Sequence, residues 1–488
     1  MKPKILCLLL TILLLFPHTS TIFAQPDNTS SISGTENISD TNDTEDTSKP
    51  SDTSDVADTS DTSDTLTLTC ESAILMDATT GAILYEKDAN TKQFPASITK
   101  LMTLLLAYEN GSLDDTITFS HDAIFSIEFG SSHIAIQEGE TLTLEQVLYG
   151  IMLQSANECS NGVAEYVDGD IETFAKHMTE RAKELGCKNT NFVNANGLHD
   201  ENHYTTAYDM ALIAQALLQI DAYREMMGNT YYEIPPTNKQ TETRYLHGQH
   251  QMLNPNSLYY YETAEGGKTG YTSEALNTLV TYAKQGDTEL IAVVLRCNGA
   301  QHYVDTKTLF DYGFSHYKTE KVLSAGDLAQ TVSITETYKN KTEEKAQISA
   351  AIPKDIYITL PIGANPADVT TQVTCEPTAS VPIAAGDALG SVALSYQGET
   401  IDTVSLTAQD SVAVTTDEER AAQSAQKRNH ILKIIGIFIG VLLLCGLGVI
   451  LFFRYRIYRK KELRRQRRKS ARKLRLQQYE QQHLHHKK

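Results

Sequence analysis

The sequence predicts an α/β (α+β) domain, then a small all-β domain, then a single C-terminal transmembrane helix. Three observations carry this. Strand-like runs open and close the segment 70–319 with helical patterns between them, so one sheet can recruit both ends of the segment. Short alternating runs separated by Gly, Asn and Pro turns fill 320–412, among them Gln347-Ile348-Ser349-Ala350 and Thr403-Val404-Ser405-Leu406. Ile434 to Phe453 are twenty residues without a charge, enough to cross a bilayer.

The elements follow in order. Met1-Lys2-Pro3-Lys4 and the apolar run Ile5–Phe16, leading to Ala24, read as a secretory signal peptide over 1–24. Residues 25–69 hold eleven acidic residues against one lysine and almost nothing to bury, so they read as a disordered, solvated spacer. Ala73-Ile74-Leu75-Met76-Asp77 and Ala82-Ile83-Leu84-Tyr85-Glu86 flank Thr79-Thr80-Gly81 as a hairpin. A helix begins near Ser97 and continues through Leu101–Leu106. Thr143 and Gln146 form a capping box ahead of a helix over Leu144–Leu153. Further helical patterns run about 172–185 and 206–219, and 231–263 reads as loop and short strand. Strands at Leu276–Tyr282 and Leu290–Leu295 complete the first domain. The all-β domain over 320–412 reads as a stalk, with 413–433 linking it to the span at 434–453.

Charge divides the chain. Residues 454–488 carry a net of +13, which leaves −32 for everything before them. Such an acidic bulk argues against nucleic acid as a partner. The basic tail directly after a membrane span is placed in the cytoplasm by the positive-inside rule, against anionic lipid, with everything between the signal and Ile434 outside. Gly436 and Gly440 add a weak helix-pairing pattern inside the span. Cys70, Cys159, Cys187, Cys297 and Cys375 lie on the exterior side with no metal-ligand spacing. They read as mostly free thiols buried as small hydrophobes, with one disulfide left open.

The chemistry concentrates at three short motifs. Ser-x-x-Lys occurs four times, starting at Ser97, Ser315, Ser424 and Ser470, and alone is most simply a helix start with a solvated lysine. Ser155-Ala156-Asn157 is the only Ser-x-Asn and falls where one helix ends and another begins. Lys268-Thr269-Gly270 is the only Lys-Thr-Gly and is expected just before a strand. In this order they single out Ser97 and Lys100 from the other three matches. Serine beside a neutral lysine is one way to build a nucleophile.

With these motifs the segment 70–319 resembles the D-alanyl-D-alanine carboxypeptidases, the low-molecular-mass penicillin-binding proteins of peptidase family S11. Longer phrases agree: Ala73–Asp77, Pro95–Lys100, Leu153–Glu158, Phe192–Leu198 and His203–Met210. The resemblance implies a serine β-lactamase/penicillin-binding-protein-like transpeptidase fold. It also implies removal of the terminal D-alanine from peptidoglycan pentapeptides through an acyl-enzyme. Ser97 would be the nucleophile, Lys100 its proton acceptor and Ser155 a proton relay. Asn157, Lys268, Thr269, Gly270 and Tyr271 would bind substrate, with the Ser97 and Tyr271 N–H groups as oxyanion hole. Partners implied are stem peptides ending in D-Ala-D-Ala, β-lactams as covalent inhibitors, and membrane lipid. No metal or cofactor is called for, and His199 and His203 read as structural or surface groups. One departure stands out. Ala275-Leu276 occupies the place of the family's Ala-Gly, where a side chain would narrow the site.

Rival readings on the same fold are a β-lactamase and a D,D-endopeptidase, and from another class a non-catalytic cell-wall scaffold. No Glu-x-x-Leu-Asn lies between Asn157 and Lys268, against the first. The presence of all six polar motif residues argues against the scaffold.

Overall fold

The computed structural model describes residues 66–485, with side chains through Tyr479. The signal peptide and nearly all of the acidic spacer lie outside the described residues.

The expected hairpin opens the fold as β1 (Ser72–Asp77) and β2 (Ile83–Lys87), paired antiparallel. Its turn is tied by the Asp77 carboxylate, which accepts from the Thr79 and Thr80 amides at 2.9 and 3.0 Å. A 3-10 turn over Ala96–Thr99 then leads into α1 (Lys100–Asn110). Helices α2 (His121–Phe125), α3 (Leu144–Gln154), α4 (Asn157–Asp168), α5 (Ile171–Glu184), α6 (Ala207–Leu217) and α7 (Asp221–Met227) follow. Two small ribbons punctuate them, β3 (Thr116–Thr118) with β4 (Thr141–Thr143), and β5 (Tyr231–Ile234) with β6 (Arg244–His247). Three long strands, β7 (Ala264–Thr272), β8 (Leu276–Gln285) and β9 (Thr288–Cys297), return to the first hairpin. Together they make one antiparallel sheet of order β2-β1-β9-β8-β7. Both ends of the segment thus close one sheet, as the order of sequence patterns predicts.

The sheet is buried on both faces. Ile74, Met76, Val280, Tyr282, Ile291 and Val293 join the core shared with α1, α3, α4 and α6. The alternate residues Ala73, Leu75, Leu279, Leu290, Ala292 and Val294 join a second cluster with Leu309 and Phe310 of α8 (Gln301–His316). This period-two division across the pleat explains why β1 and β9 read as continuous apolar runs. Sequence patterning gave no sign of α8, whose apolar residues are spread among tyrosines and threonines.

Helix α1 is buried along its first eight residues, from Lys100 to Ala107. Each fully buried leucine or methionine there contributes about 1.5–3 kcal/mol, so the helix is fixed in the core. Lys100, with no exposed surface, is carried in with it.

Beyond His316 the chain is β-structure: β10 (Tyr317–Leu323), β11 (Gln330–Tyr338), β12 (Lys341–Ala351), β13 (Ile356–Pro361), β14 (Thr370–Cys375), β15 (Thr378–Ser380), β16 (Ala388–Tyr396) and β17 (Glu399–Ala408). β10 pairs with β13, and the rest form a six-stranded sheet around Val332, Ile334, Val392, Leu394 and Leu406. Asp77 also ties this module to the first domain, accepting from the hydroxyls of Thr319 and Thr359 at 2.5 and 2.9 Å. The chain ends in α9 (Asp417–His485), which contains Ile434–Phe453 with apolar side chains exposed along it. Among the described residues it is the one helix long and apolar enough to cross a membrane.

Candidate active site

Ser97 lies in the 3-10 turn that runs directly into α1, at the helix start the sequence predicts, and the turn is gripped from two sides. A Cβ on Gly197 would stand 2.0 Å from the Ala96 carbonyl oxygen. A Cβ on Gly270 would stand 2.4 Å from Thr278 Oγ1 and 2.9 Å from the Ser97 amide nitrogen. Only glycine permits either approach. Thr278 Oγ1 also donates to the Pro95 carbonyl at 2.8 Å. Held this way, Ala96 adopts φ +51, a left-handed conformation that costs a non-glycine residue on the order of 1–3 kcal/mol. Packing on both sides sustains the strain and leaves Ser97 half-buried at the surface of the turn.

Three residues on, Lys100 Nζ meets Ser97 Oγ at 3.1 Å, Asn157 Oδ1 at 2.7 Å, and the Asn196 carbonyl. The two carbonyl oxygens can only accept. A neutral amine has two N–H groups and one lone pair, so donating to both carbonyls turns the lone pair toward the Ser97 hydroxyl. The surroundings favour that neutral form. Burial pushes the Lys100 pKa well below the ordinary lysine value, and the Lys268 charge pushes it the same way, outweighing Glu158 and Cys159.

Ser155 and Asn157 sit at the break between α3 and α4, as their spacing predicts. The Thr143–Gln146 capping box fixes the start of α3, and Ser155 ends it in the left-handed conformation at φ +55. That reversal aims Ser155 Oγ at Lys268 Nζ, 3.1 Å away, while Asn157 opens α4 and turns back to Lys100.

Lys268-Thr269-Gly270 lies within β7, which corrects the expectation of a position just before a strand. β7 is the edge of the five-stranded sheet, so its outer N–H and C=O groups can pair with an extended peptide. Lys268 is 2 % exposed and donates to Ser155 Oγ and to the Thr269 carbonyl at 2.8 Å. Burial lowers its pKa to about 7. Thr269 is half-buried beside it and Tyr271 is exposed one position beyond Gly270.

Sequence reasoning missed Asn196. Its side chain is locked by donation to Asn161 Oδ1 at 3.0 Å and by acceptance from the Leu198 amide at 2.9 Å, which holds its carbonyl on Lys100. The only signal was the family phrase Phe192–Leu198. His203 is structural, as read. Its Nδ1 accepts from the Val193 amide at 3.1 Å, so Nε2 carries the proton and donates to Thr99 Oγ1 at 2.8 Å. Leu276 takes φ +56 opposite Thr272, where β8 leaves the turn from β7. The demand at that position is therefore conformational, and a leucine meets it with strain.

A serine, a buried lysine aimed at it and a second lysine across the cleft define, on this fold, a serine peptidase. Residues 58–299 match the family model described as D-alanyl-D-alanine carboxypeptidase, and residues 317–414 match the one described as penicillin-binding protein 5, C-terminal domain. The chain is 34% identical over 359 residues to D-alanyl-D-alanine carboxypeptidase DacF of Bacillus subtilis, covering 72% of this chain and 86% of that one. It is 28% identical over 349 residues to DacA of Escherichia coli K12, covering 69% and 81%. The crystal structure of penicillin binding protein 5 from Haemophilus influenzae superposes with a TM-score of 0.59 at 25% identity, covering 72% of this chain and 99% of that one. The chain belongs to the D-alanyl-D-alanine carboxypeptidase family, peptidase S11.

Proposed function

We propose that this protein is a membrane-anchored serine carboxypeptidase that removes the terminal D-alanine from peptidoglycan stem pentapeptides and is acylated by β-lactams. The observation that carries the reading is the triple engagement of Lys100, with two acceptors behind it and Ser97 in front. Lys100 takes the Ser97 proton as Oγ attacks the carbonyl of the penultimate D-alanine. Ser97 and Tyr271 N–H groups stabilise the oxyanion. Ser155, polarised by Lys268, delivers a proton to the leaving D-alanine amine. Asn157 orients Lys100 and the substrate amide, and Lys268 with Thr269 receives the terminal carboxylate along the β7 edge, where Gly270 leaves room. Water then attacks the acyl-Ser97 ester, with Lys100 again as base, and the shortened peptide leaves.

The exposed apolar stretch of α9 is read as the membrane anchor. Its basic continuation from Arg454 lies on the cytoplasmic side against anionic lipid, and the catalytic domain lies outside. The test is D-alanine release from a stem pentapeptide by the full chain in detergent. Ser97→Ala is expected to lose it by at least about 10³-fold. Rapid multiple-turnover hydrolysis of penicillin would assign a β-lactamase instead, and cleavage of cross-linked dimers without D-alanine release would assign an endopeptidase.

A further inference from the structure

Two of the exterior cysteines meet where β1 enters the sheet, Cys297 lying across β8 from Tyr271 through its pairing with Asn277. β1 and β9 pair with Ser72 opposite Leu295, and the Arg296 guanidinium reaches Glu71 at 2.8 Å. Just past these pairs, where Arg296 leaves the regular ladder at φ +57, Cys70 and Cys297 come together. Both are fully buried, and their sulfurs lie within 4.8 Å. The Cys70 N–H is drawn away from the ladder to Asp305 Oδ2 at 2.7 Å, and the Cys70 carbonyl accepts from Lys87 Nζ at 2.6 Å.

We propose that Cys70 and Cys297 form a structural disulfide that staples the start of β1, where the chain enters the sheet, to the end of β9. The oxidant is a small-molecule or protein disulfide. One thiolate attacks it to give a mixed disulfide, and the second thiolate displaces the remaining half. Overall two protein thiols and one external disulfide become one protein disulfide and two external thiols, with both protons passing to the leaving sulfurs. Exchange takes place while the end of β1 is open, before the sulfurs are covered. Asp305 makes a third potential metal ligand in the same cluster. Its Oδ2, however, already accepts from the Thr69 amide at 2.9 Å, the Thr69 hydroxyl at 3.0 Å and the Cys70 amide. That leaves two thiols, short of the closed four-ligand shell of a structural zinc site.

The test equilibrates the full chain in detergent, with enough urea to admit reagent, against glutathione buffers approached from oxidised and reduced sides. The protein is then alkylated in denaturant and mapped by mass spectrometry. A cross-link between the Cys70 and Cys297 peptides is expected as the majority species even with reduced glutathione in tenfold excess. Cys159, Cys187 and Cys375 are expected to stay unlinked. The oxidised protein should melt about 5–10 °C above the reduced one, a difference absent from Cys70→Ser and from Cys297→Ser, with D-alanine release unchanged in both. Alkylation of both thiols at every ratio would overturn the proposal, as would stoichiometric zinc retained by the wild type and lost in Cys70→Ser.

Discussion

Lys100 Nζ stands 3.1 Å from Ser97 Oγ with no exposed surface of its own, on the first turn of a helix whose first eight residues are all buried. Burying an amine there is unfavourable for folding and useful for chemistry. Lys100→Met removes the cost while filling a similar volume. The variant should keep or raise its Tm and lose about 10³-fold in acylation by a fluorescent penicillin. Lys100→Arg should be equally inactive, because a guanidinium stays charged. Substantial activity in either variant would remove Lys100 from the proton path.

Lys268 separates binding from chemistry. With its pKa lowered to about 7 by burial, it is cationic below that pH and loses its proton above it. KM for a substrate with a free terminal carboxylate should therefore climb about tenfold between pH 7 and 8.5. Lys268→Arg should hold KM flat across that range, and Lys268→Met should raise it at every pH. A wild-type KM independent of pH would contradict this reading.

Two buried histidines set acid stability. His203 and His250 have their pKa values depressed to about 3, mainly by burial. The unfolded chain takes up protons below about pH 6.5 while the folded one does not. Their contribution is thus full above 6.5 and is lost as pH falls from 6.5 toward 3. Each should cost about 2 kcal/mol at pH 5 relative to pH 7.5. In urea unfolding, His203→Gln should shrink the pH 7.5-to-5 difference by that amount. An unchanged difference would mean that His203 titrates normally.

Much of this was legible in the sequence, and the exceptions have physical causes. Ser155 and Asn157 were placed at a helix break because Thr143 and Gln146 announce the start of α3 and an eleven-residue helix then ends where the motif falls. That one sheet takes in both ends of the segment followed from where the strand-like runs lie. Asn196 was invisible because its main-chain carbonyl, not its side chain, contacts Lys100, and backbone groups leave no residue-type signal. The position of Lys-Thr-Gly within β7 was misjudged because its glycines lower strand propensity, while the ladder to β8 and the packing of Gly270 on Ser97 override it.

Leu276 separates conformation from crowding. At φ +56, Leu276→Gly relieves strain that Leu276→Ala keeps, so the glycine variant should be more stable than the alanine variant by about 1 kcal/mol. That reverses the usual order within a strand. Acylation should stay within about twofold of wild type in both. A tenfold faster glycine variant would instead show that the leucine side chain narrows the cleft.

The most direct measurement is the site of acylation. The full chain is exposed to a labelled penicillin, digested, and the labelled peptide sequenced by mass spectrometry. The expected result is one equivalent of label on Ser97, absent from Ser97→Ala and recovered only slowly as free enzyme. Label retained in Ser97→Ala, or found on Ser155, would contradict the assignment of Ser97 and Lys100 as the reacting pair.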